Sequence, residues 1–89
     1  MMNIKEGERL VCSITADDRY GFAMVEDQDG DLKLISLFIY DRLTGERRGK
    51  AGLSPHENGW CIERHEWLEL AHGLIAYVMR EQLEDADAE

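Results

Sequence analysis

The stretch YGFAMVEDQDGDLKLISLFIYDR, residues 20–42, decides the fold of this 89-residue chain. Its first part alternates in polarity, and one face of the predicted strand carries Tyr20, Phe22 and Met24. Asp29-Gly30 then predicts a tight hairpin turn, because both residues tolerate the positive φ of a primed turn. The returning segment, residues 31–42, is apolar on both faces, and such a strand is normally central in its sheet.

Extended segments also flank this hairpin on both sides. The preceding stretch ERLVCSITA (8–16) alternates, and its predicted apolar face carries Leu10, Cys12 and Ile14. The intervening sequence Asp17-Asp18-Arg19 turns the chain between the two strands. After the hairpin, Thr44-Gly45 predicts a further turn and therefore a fourth strand, and Asn58-Gly59 marks a turn beyond it.

From about Glu63 to Glu84 the apolar residues follow a helical period. An inner stripe, predicted to cover the sheet, consists of Trp67, Leu70, Leu74 and Val78. An adjacent outer stripe consists of Leu68, Ala71, Ile75, Met79 and Leu83. One sheet needs only one stripe to cover it, so the second stripe predicts a homodimer interface, which we assign to Leu68, Ala71, Ile75 and Met79.

These signals together predict an α+β fold in which a four-stranded antiparallel sheet is followed by one long C-terminal helix. Residues 1–83 are expected to form the single domain. Residues 84–89 are expected to form an acidic tail that frays into solvent, because the last nine residues hold five acids and no base.

The composition bounds the class of protein. The chain is 44 % apolar and 33 % charged, which is typical of a globular domain, and its formal net charge is −9. It has no apolar signal segment and no run of about 20 apolar residues that could span a bilayer. Two cysteines, Cys12 and Cys61, fit a reducing compartment rather than a disulfide framework. We therefore expect a soluble cytoplasmic protein without a membrane partner.

Two motifs resemble ion or nucleotide sites, but neither is complete. DQDGD (27–31) begins like a calcium-binding EF-hand loop, yet the positions that need glycine and glutamate hold Leu32 and Phe38. GERRGKAG (45–52) has one residue too few for a phosphate-binding loop, and Ala51 stands where Ser or Thr would hold magnesium. An acidic hairpin turn and a basic turn are the better interpretations.

The side chains of His56, Cys61 and His65 are candidate zinc ligands, and His72 lies two turns further along the helix. Structural zinc usually takes four ligands from two paired clusters, and this spacing does not supply them. No acid orients a Cys61–His65 pair, and no oxyanion site is evident. We therefore predict no metal, no cofactor, no catalytic residues and no enzymatic activity.

The remaining feature is a concentration of positive charge in an acidic chain. Residues 42–50 contain four bases and one acid, a local net of 4 − 1 = +3, in what we call the basic hairpin: Arg42, Arg47, Arg48 and Lys50. Phe38 and Tyr40 lie beside it on the third strand, and cations with aromatic rings are the pairing that binds single-stranded nucleic acid. Alternatively the arginines neutralise the Glu26–Asp31 turn and the rings are core. The residues alone leave both interpretations open.

The order of parts resembles the positive cofactor four family of transcriptional coactivators, including its shorter bacterial and phage relatives. The matching parts are LISLFIYDR (34–42), LTGE (43–46), RRGKAGL (47–53) and GWCIERHEWLEL (59–70). The stretch SPHEN (54–58) has no counterpart in that family, and the DNA-binding members are more basic than this chain.

The resemblance implies a whirly-like fold, a dimer and binding of single-stranded DNA, with RNA left open. Carried over by position, Arg47, Arg48 and Lys50 would contact phosphates and Tyr40 would offer a ring; Arg42 and Phe38 complete the predicted site. The leading hypothesis is an accessory protein of transcription, replication or repair. The alternative is an acidic interaction module or DNA mimic that binds a basic site on a polymerase or another nucleic-acid-processing protein.

Overall fold

The computed structural model describes residues 1–51 and 62–87, and its elements follow the predicted order. They are β1 Glu8–Thr15, β2 Tyr20–Asp29, β3 Leu32–Asp41, β4 Arg47–Lys50 and the helix α1 Arg64–Asp87. The strands form one antiparallel sheet in the order β1-β2-β3-β4. The predicted α+β fold is confirmed, and β3 lies between β2 and β4, as its apolar faces indicated.

The β2–β3 hairpin closes one residue later than predicted. Asp29 pairs with Leu32, so the two-residue loop is Gly30-Asp31. Gly30 has a φ of +62°, and no described non-glycine residue has a positive φ. A glycine at the first central position followed by a residue with negative φ is typical of a II′ turn, in which only the first residue needs a positive φ.

The predicted alternation of β1 is wrong at Leu10. The pairing of β1 with β2 shifts between Leu10 and Cys12, where a bulge at Val11 inserts an extra residue. Leu10 consequently packs on the opposite side of the sheet from Cys12 and Ile14. An edge strand interrupted in this way is also a poorer template for pairing with another chain.

One face of the sheet, the helix face, packs against α1. The buried residues of this core are Phe22, Met24, Ile39 and Leu70, so the predicted alignment of Phe22 and Met24 is confirmed. The helix contacts β1 most closely, and Gly73 permits the approach: a Cβ atom there would lie 2.6 Å from Cβ of Cys12. Any side chain at position 73 would push the helix away from the sheet.

The inner stripe of α1 differs from the prediction at its C-terminal end. Trp67, Leu70 and Leu74 belong to the helix-face core, but Val78 is exposed and Tyr77 is buried instead. Tyr77 lies seven residues after Leu70, which is nearly two whole turns, so both residues face the same side of the helix. Val78 is rotated by about 100° beyond Tyr77. The helix also continues to Asp87, so residues 84–87 of the predicted tail are helical.

An ion pair holds this part of α1 to the sheet. Nη2 of Arg9 lies 2.7 Å from Oε1 of Glu81, and the guanidinium carbon of Arg9 lies 5.7 Å from the centre of the Tyr77 ring. Burial raises the pKa of the Tyr77 hydroxyl, and the neighbouring Glu26 carboxylate adds to the increase. β1 is thus joined to the last turns of the helix by charge as well as by packing.

The opposite face, which we call the second face, has a smaller core. Its buried residues are Met2, Ala23, Val25 and Tyr40, with Leu10 and Phe38 packed against them. Met2 belongs to a segment without helix or strand, yet it is only 1 % exposed. The N-terminal segment therefore supplies a buried side chain to this face.

The predicted Asn58-Gly59 turn lies outside the described residues. Within the described residues, no helix is long and apolar enough to cross a bilayer.

Candidate nucleic-acid interface

Asp41 shapes the turn from which the basic hairpin starts. Its Oδ1 accepts hydrogen bonds from the backbone N–H groups of Leu43 at 2.9 Å and Thr44 at 3.3 Å, and its own carbonyl accepts one from Gly45 at 2.7 Å. Gly45 has a φ of +78°, which only glycine adopts without strain. An aspartate that bonds the amides following it is a common way to form a tight turn.

The same carboxylate is the local centre of negative charge. Asp41 is 1 % exposed, and its Oδ2 lies 3.2 Å from Nε of Arg19 and 3.7 Å from Nη2 of Arg48. The pKa of Asp41 is held below its usual value, mainly by the Leu43 amide and further by Arg19. Asp41 therefore stays ionised at neutral pH and pairs with both Arg19 and Arg48.

Arg42 connects this turn to the neighbouring β1–β2 turn. Its Nη1 donates to the carbonyl oxygen of Asp17 at 2.9 Å and to that of Asp18 at 3.3 Å. Its backbone N–H donates to the carbonyl of Arg19 at 2.7 Å. The side chain is nevertheless exposed, so its charge faces solvent at this end of the sheet.

Arg47 is engaged more completely than the other cations. Its Nη1 donates to Oε2 of Glu8 at 2.8 Å, and its Nη2 donates to Oε1 of Glu8 and to the carbonyl of Asn3 at 3.1 Å. Its guanidinium carbon lies 4.7 Å from the centre of the Phe38 ring. The Arg47 side chain is only 14 % exposed, and one face of Phe38 is covered by a cation.

Tyr40 does not offer a ring to a ligand in this structure, contrary to the prediction. It is 5 % exposed within the second-face core. Its ring lies over Gly21, where a Cβ atom would come within 2.9 Å of two ring carbons. The buried position follows from the strand period, because Tyr40 shares the face of Phe38, which also packs against this core.

The two other cations of the hairpin are accessible. The Arg48 side chain is 41 % exposed, and Lys50 is also exposed. The alternative partners proposed for the arginines are wrong: Arg47 and Arg48 pair with Glu8 and Asp41 rather than with the Glu26–Asp31 turn. The structure thus separates the predicted site into accessible cations (Arg42, Arg48, Lys50), a half-buried ring (Phe38) and an enclosed pair (Tyr40, Arg47).

The outer stripe of α1 is exposed along its length. Its large members are Leu68, Ile75, Met79 and Leu83, each more than half exposed, and Ala71 is exposed as well. The inner-stripe residue Leu70 is fully buried, whereas the adjacent outer stripe, about 100° further around the helix, faces solvent. All four residues assigned to a dimer interface therefore lie on one accessible surface.

The zinc candidates His56 and Cys61 lie outside the described residues. Near the start of α1, donor atoms of Glu63, His65 and Glu66 lie within 4.8 Å of one another. Glu66 is buried there because its Oε1 accepts the backbone N–H of Glu63 at 2.9 Å, three residues earlier, as in a capping box. This carboxylate caps the helix, and the cluster is explained by that role.

The pairing with Arg47 lowers the pKa of Glu8 from 4.5 to about 2. A depressed pKa stabilises the fold above pH 4.5, and this contribution is lost as the pH falls towards 2. We expect Glu8→Gln to lower the free energy of unfolding at pH 7 by up to about 3 kcal/mol, and to have almost no effect near pH 2, because glutamine resembles protonated glutamate. Urea denaturation across this range measures the difference.

Glu6→Gln is the matched control, because Glu6 is exposed two residues away. The control should lose little stability at any pH. A pH-independent loss for Glu8→Gln would mean that its ion pair with Arg47 does not stabilise the folded state.

Three residues of the site were not identified from the sequence. Asp41 could have been found, since an aspartate three residues before Thr44, at the start of a turn, is a turn signal. Glu8 is 39 residues from Arg47 along the chain, and no local pattern links them. Met2 belongs to a segment without periodicity, so nothing in the sequence indicated its burial.

Comparisons with protein-family models, curated proteins and solved structures find no match for this chain. The resemblance to the positive cofactor four family therefore stays a prediction.

Proposed function

We propose that the chain is a small dimeric single-stranded nucleic-acid-binding protein that acts in the cytoplasm as an accessory to transcription, replication or repair. The observation that carries this proposal is the basic hairpin, whose exposed cations are Arg42, Arg48 and Lys50. Asp41 bonds to both ends of the turn between β3 and β4, through the amides of Leu43 and Thr44 and the carbonyl of Glu46, so these charges project from an ordered turn. Cations grouped in this way suit a flexible polyanion, whose backbone can follow them.

Phe38 and Arg47 supply a flat surface beside these cations. Bases of single strands stack on aromatic rings and also on guanidinium planes. The guanidinium of Arg47 already lies on the Phe38 ring, 4.7 Å from its centre. A base would therefore stack on Arg47, or on Phe38 once Arg47 has moved.

The dimer is supported by the outer stripe. Four large apolar side chains on one side of a helix about 36 Å long form a continuous surface that water solvates poorly. A second copy is the occupant that this stripe fits best, because antiparallel helices pair their dipoles favourably and bury the same residues from both chains. Two basic hairpins would then act on one strand.

A single-strand titration tests the proposal. With about three phosphate contacts, the binding constant should fall with salt at a log–log slope near −2, at about 0.7 per contact. Arg48→Ala with Lys50→Ala should reduce both the affinity and the slope, measured by fluorescence anisotropy of a labelled oligonucleotide. The matched control is Arg64→Ala with Arg80→Ala, which removes two exposed charges from α1 instead.

Equal losses from both pairs of substitutions would mean that binding depends only on net charge and not on the hairpin. No binding of wild type at low salt would reject the proposal.

The second candidate function is an acidic protein-interaction module. It is favoured by the formal net charge of −9 and by the pairing of Arg47 with Glu8 and of Arg48 with Asp41, which engages two of the four cations of the basic hairpin. The β2–β3 hairpin presents the exposed acids Asp27, Asp29 and Asp31. A basic site on a nucleic-acid-processing protein would be the partner, and capture of such a site with no single-strand binding would favour this function.

A further inference from the structure

We infer that the N-terminal segment, residues 1–7, together with the side chain of Glu8 at the start of β1, is an internal occupant of the nucleic-acid interface, which they hold closed until a single strand displaces them. The inference rests on the proposed function and concerns its regulation. Both of the predicted site residues that are enclosed are engaged from this end of the chain. Met2 shares the second-face core with Tyr40. The Asn3 carbonyl and the Glu8 carboxylate accept hydrogen bonds from Arg47. The accessible cations would make the first contacts, and the enclosed residues would join after the segment moves.

The apolar part of the closed state is Met2. Its side chain is buried with Ala23, Val25 and Tyr40, while its neighbours Met1 and Ile4 are exposed. Methionine is flexible and fills irregular gaps without demanding one geometry. The segment therefore contributes one adaptable side chain to the core that encloses Tyr40.

The charged part of the closed state is Glu8. Its two carboxylate oxygens accept from the two terminal nitrogens of Arg47, which is the forked geometry that arginine also forms with phosphate. Glu8 thus occupies the place that a phosphate would take on Arg47. Nε of Arg47 is buried and has no hydrogen-bond partner among the described residues, so this cation has a donor left to offer.

A backbone contact secures the segment next to the basic hairpin. The N–H of Asn3 donates to the carbonyl of Gly45 at 2.9 Å. A Cβ atom at position 45 would lie 2.6 Å from Oδ1 of Asn3 and 2.9 Å from the carbonyl oxygen of Met1. Gly45 therefore serves the hairpin turn and also leaves room for the segment.

The segment is suited to opening because few contacts hold it. Residues 1–7 contain no strand or helix, and all but Met2 are exposed. Local stability is lowest where buried contacts are few, so this part of the chain can be displaced without unfolding the sheet. Replacing Glu8 by phosphate on Arg47 exchanges one anion for another.

One double variant is designed to open the segment, and a matched double variant should leave it in place. Met2→Ser with Glu8→Gln removes the buried side chain and the ion pair. Ile4→Ser with Glu6→Gln makes the same chemical changes at exposed neighbours. We expect the first variant to bind a labelled single strand about 3- to 10-fold more tightly than the second at equal salt, because a closed population no longer reduces the apparent affinity. Its log–log salt slope should steepen by about 0.7, one more phosphate.

Wild type provides a test that needs no variant. The methyl group of Met2 is packed in a core that contains the Tyr40 and Phe38 rings, so its NMR signal should be displaced by ring currents. Adding single-stranded oligonucleotide should move that signal to the position of a solvent-exposed methionine.

The outcomes separate this inference from the function on which it rests. Strand binding that leaves the Met2 signal unmoved, or equal affinity of the two double variants, overturns the inference and leaves the function standing. Failure of wild type to bind any single strand at low salt rejects the proposed function and the inference together.

Discussion

Leu70→Ala is expected to lower the free energy of unfolding by about 2–5 kcal/mol, the range for removing a large buried aliphatic side chain. Leu70 is fully buried in the helix-face core with Phe22, Met24 and Ile39. Truncation would leave a cavity between α1 and the sheet. A domain of this size has only about 5–10 kcal/mol of net stability, so the variant should lose much of it, measured by urea denaturation.

Leu68→Ala is the matched control, because it is the same substitution two residues away on the opposite side of α1. Leu68 is 55 % exposed, so the folded monomer should lose less than about 0.5 kcal/mol. If the outer stripe forms a dimer, Leu68→Ala should instead weaken the stability only at concentrations where wild type is dimeric. Equal losses for Leu68→Ala and Leu70→Ala at low concentration would mean that α1 does not dock through its inner stripe.

The fold could be predicted because its signals are local. The alternation of residues 20–26, the glycines at positions 30 and 45 and the helical period after Glu63 each act within a few residues. The errors arose where a longer-range contact decided the outcome. The bulge at Val11 depends on the pairing of β1 with β2, and the choice of Tyr77 over Val78 depends on where α1 meets β1.

The site could be predicted only as a set of charges and rings. The distribution of charge along the sequence located the basic hairpin, but it did not identify the carboxylates that pair with the arginines of the hairpin. Glu8 and Met2 reach the site from the other end of the chain, and such contacts leave no trace in spacing or periodicity. The period of β3 indicates which face Tyr40 shares with Phe38, but not that Met2 joins the same core.

Ile75→Glu is expected to abolish the proposed dimer. Ile75 lies at the middle of α1, which runs from Arg64 to Asp87, and it is 56 % exposed. In a two-fold antiparallel helix pair the middle residue lies near the axis and faces its own copy. Two carboxylates would then be brought together in an apolar interface, and the dissociation constant should rise by at least about 100-fold. Sedimentation or light scattering measures the change.

The symmetry of that arrangement gives a sharper test than dissociation alone. Ile75→Lys should also be monomeric, but an equimolar mixture of Ile75→Glu and Ile75→Lys should reassociate, because each glutamate would face a lysine across the axis. Ala76→Glu is the control, since it adds the same charge at an exposed position about 100° around the helix. A wild type that stays monomeric at high concentration rejects the dimer. A mixture that fails to reassociate, while Ala76→Glu remains dimeric, places Ile75 inside the interface but away from the axis, so the helices would not pair about their midpoints.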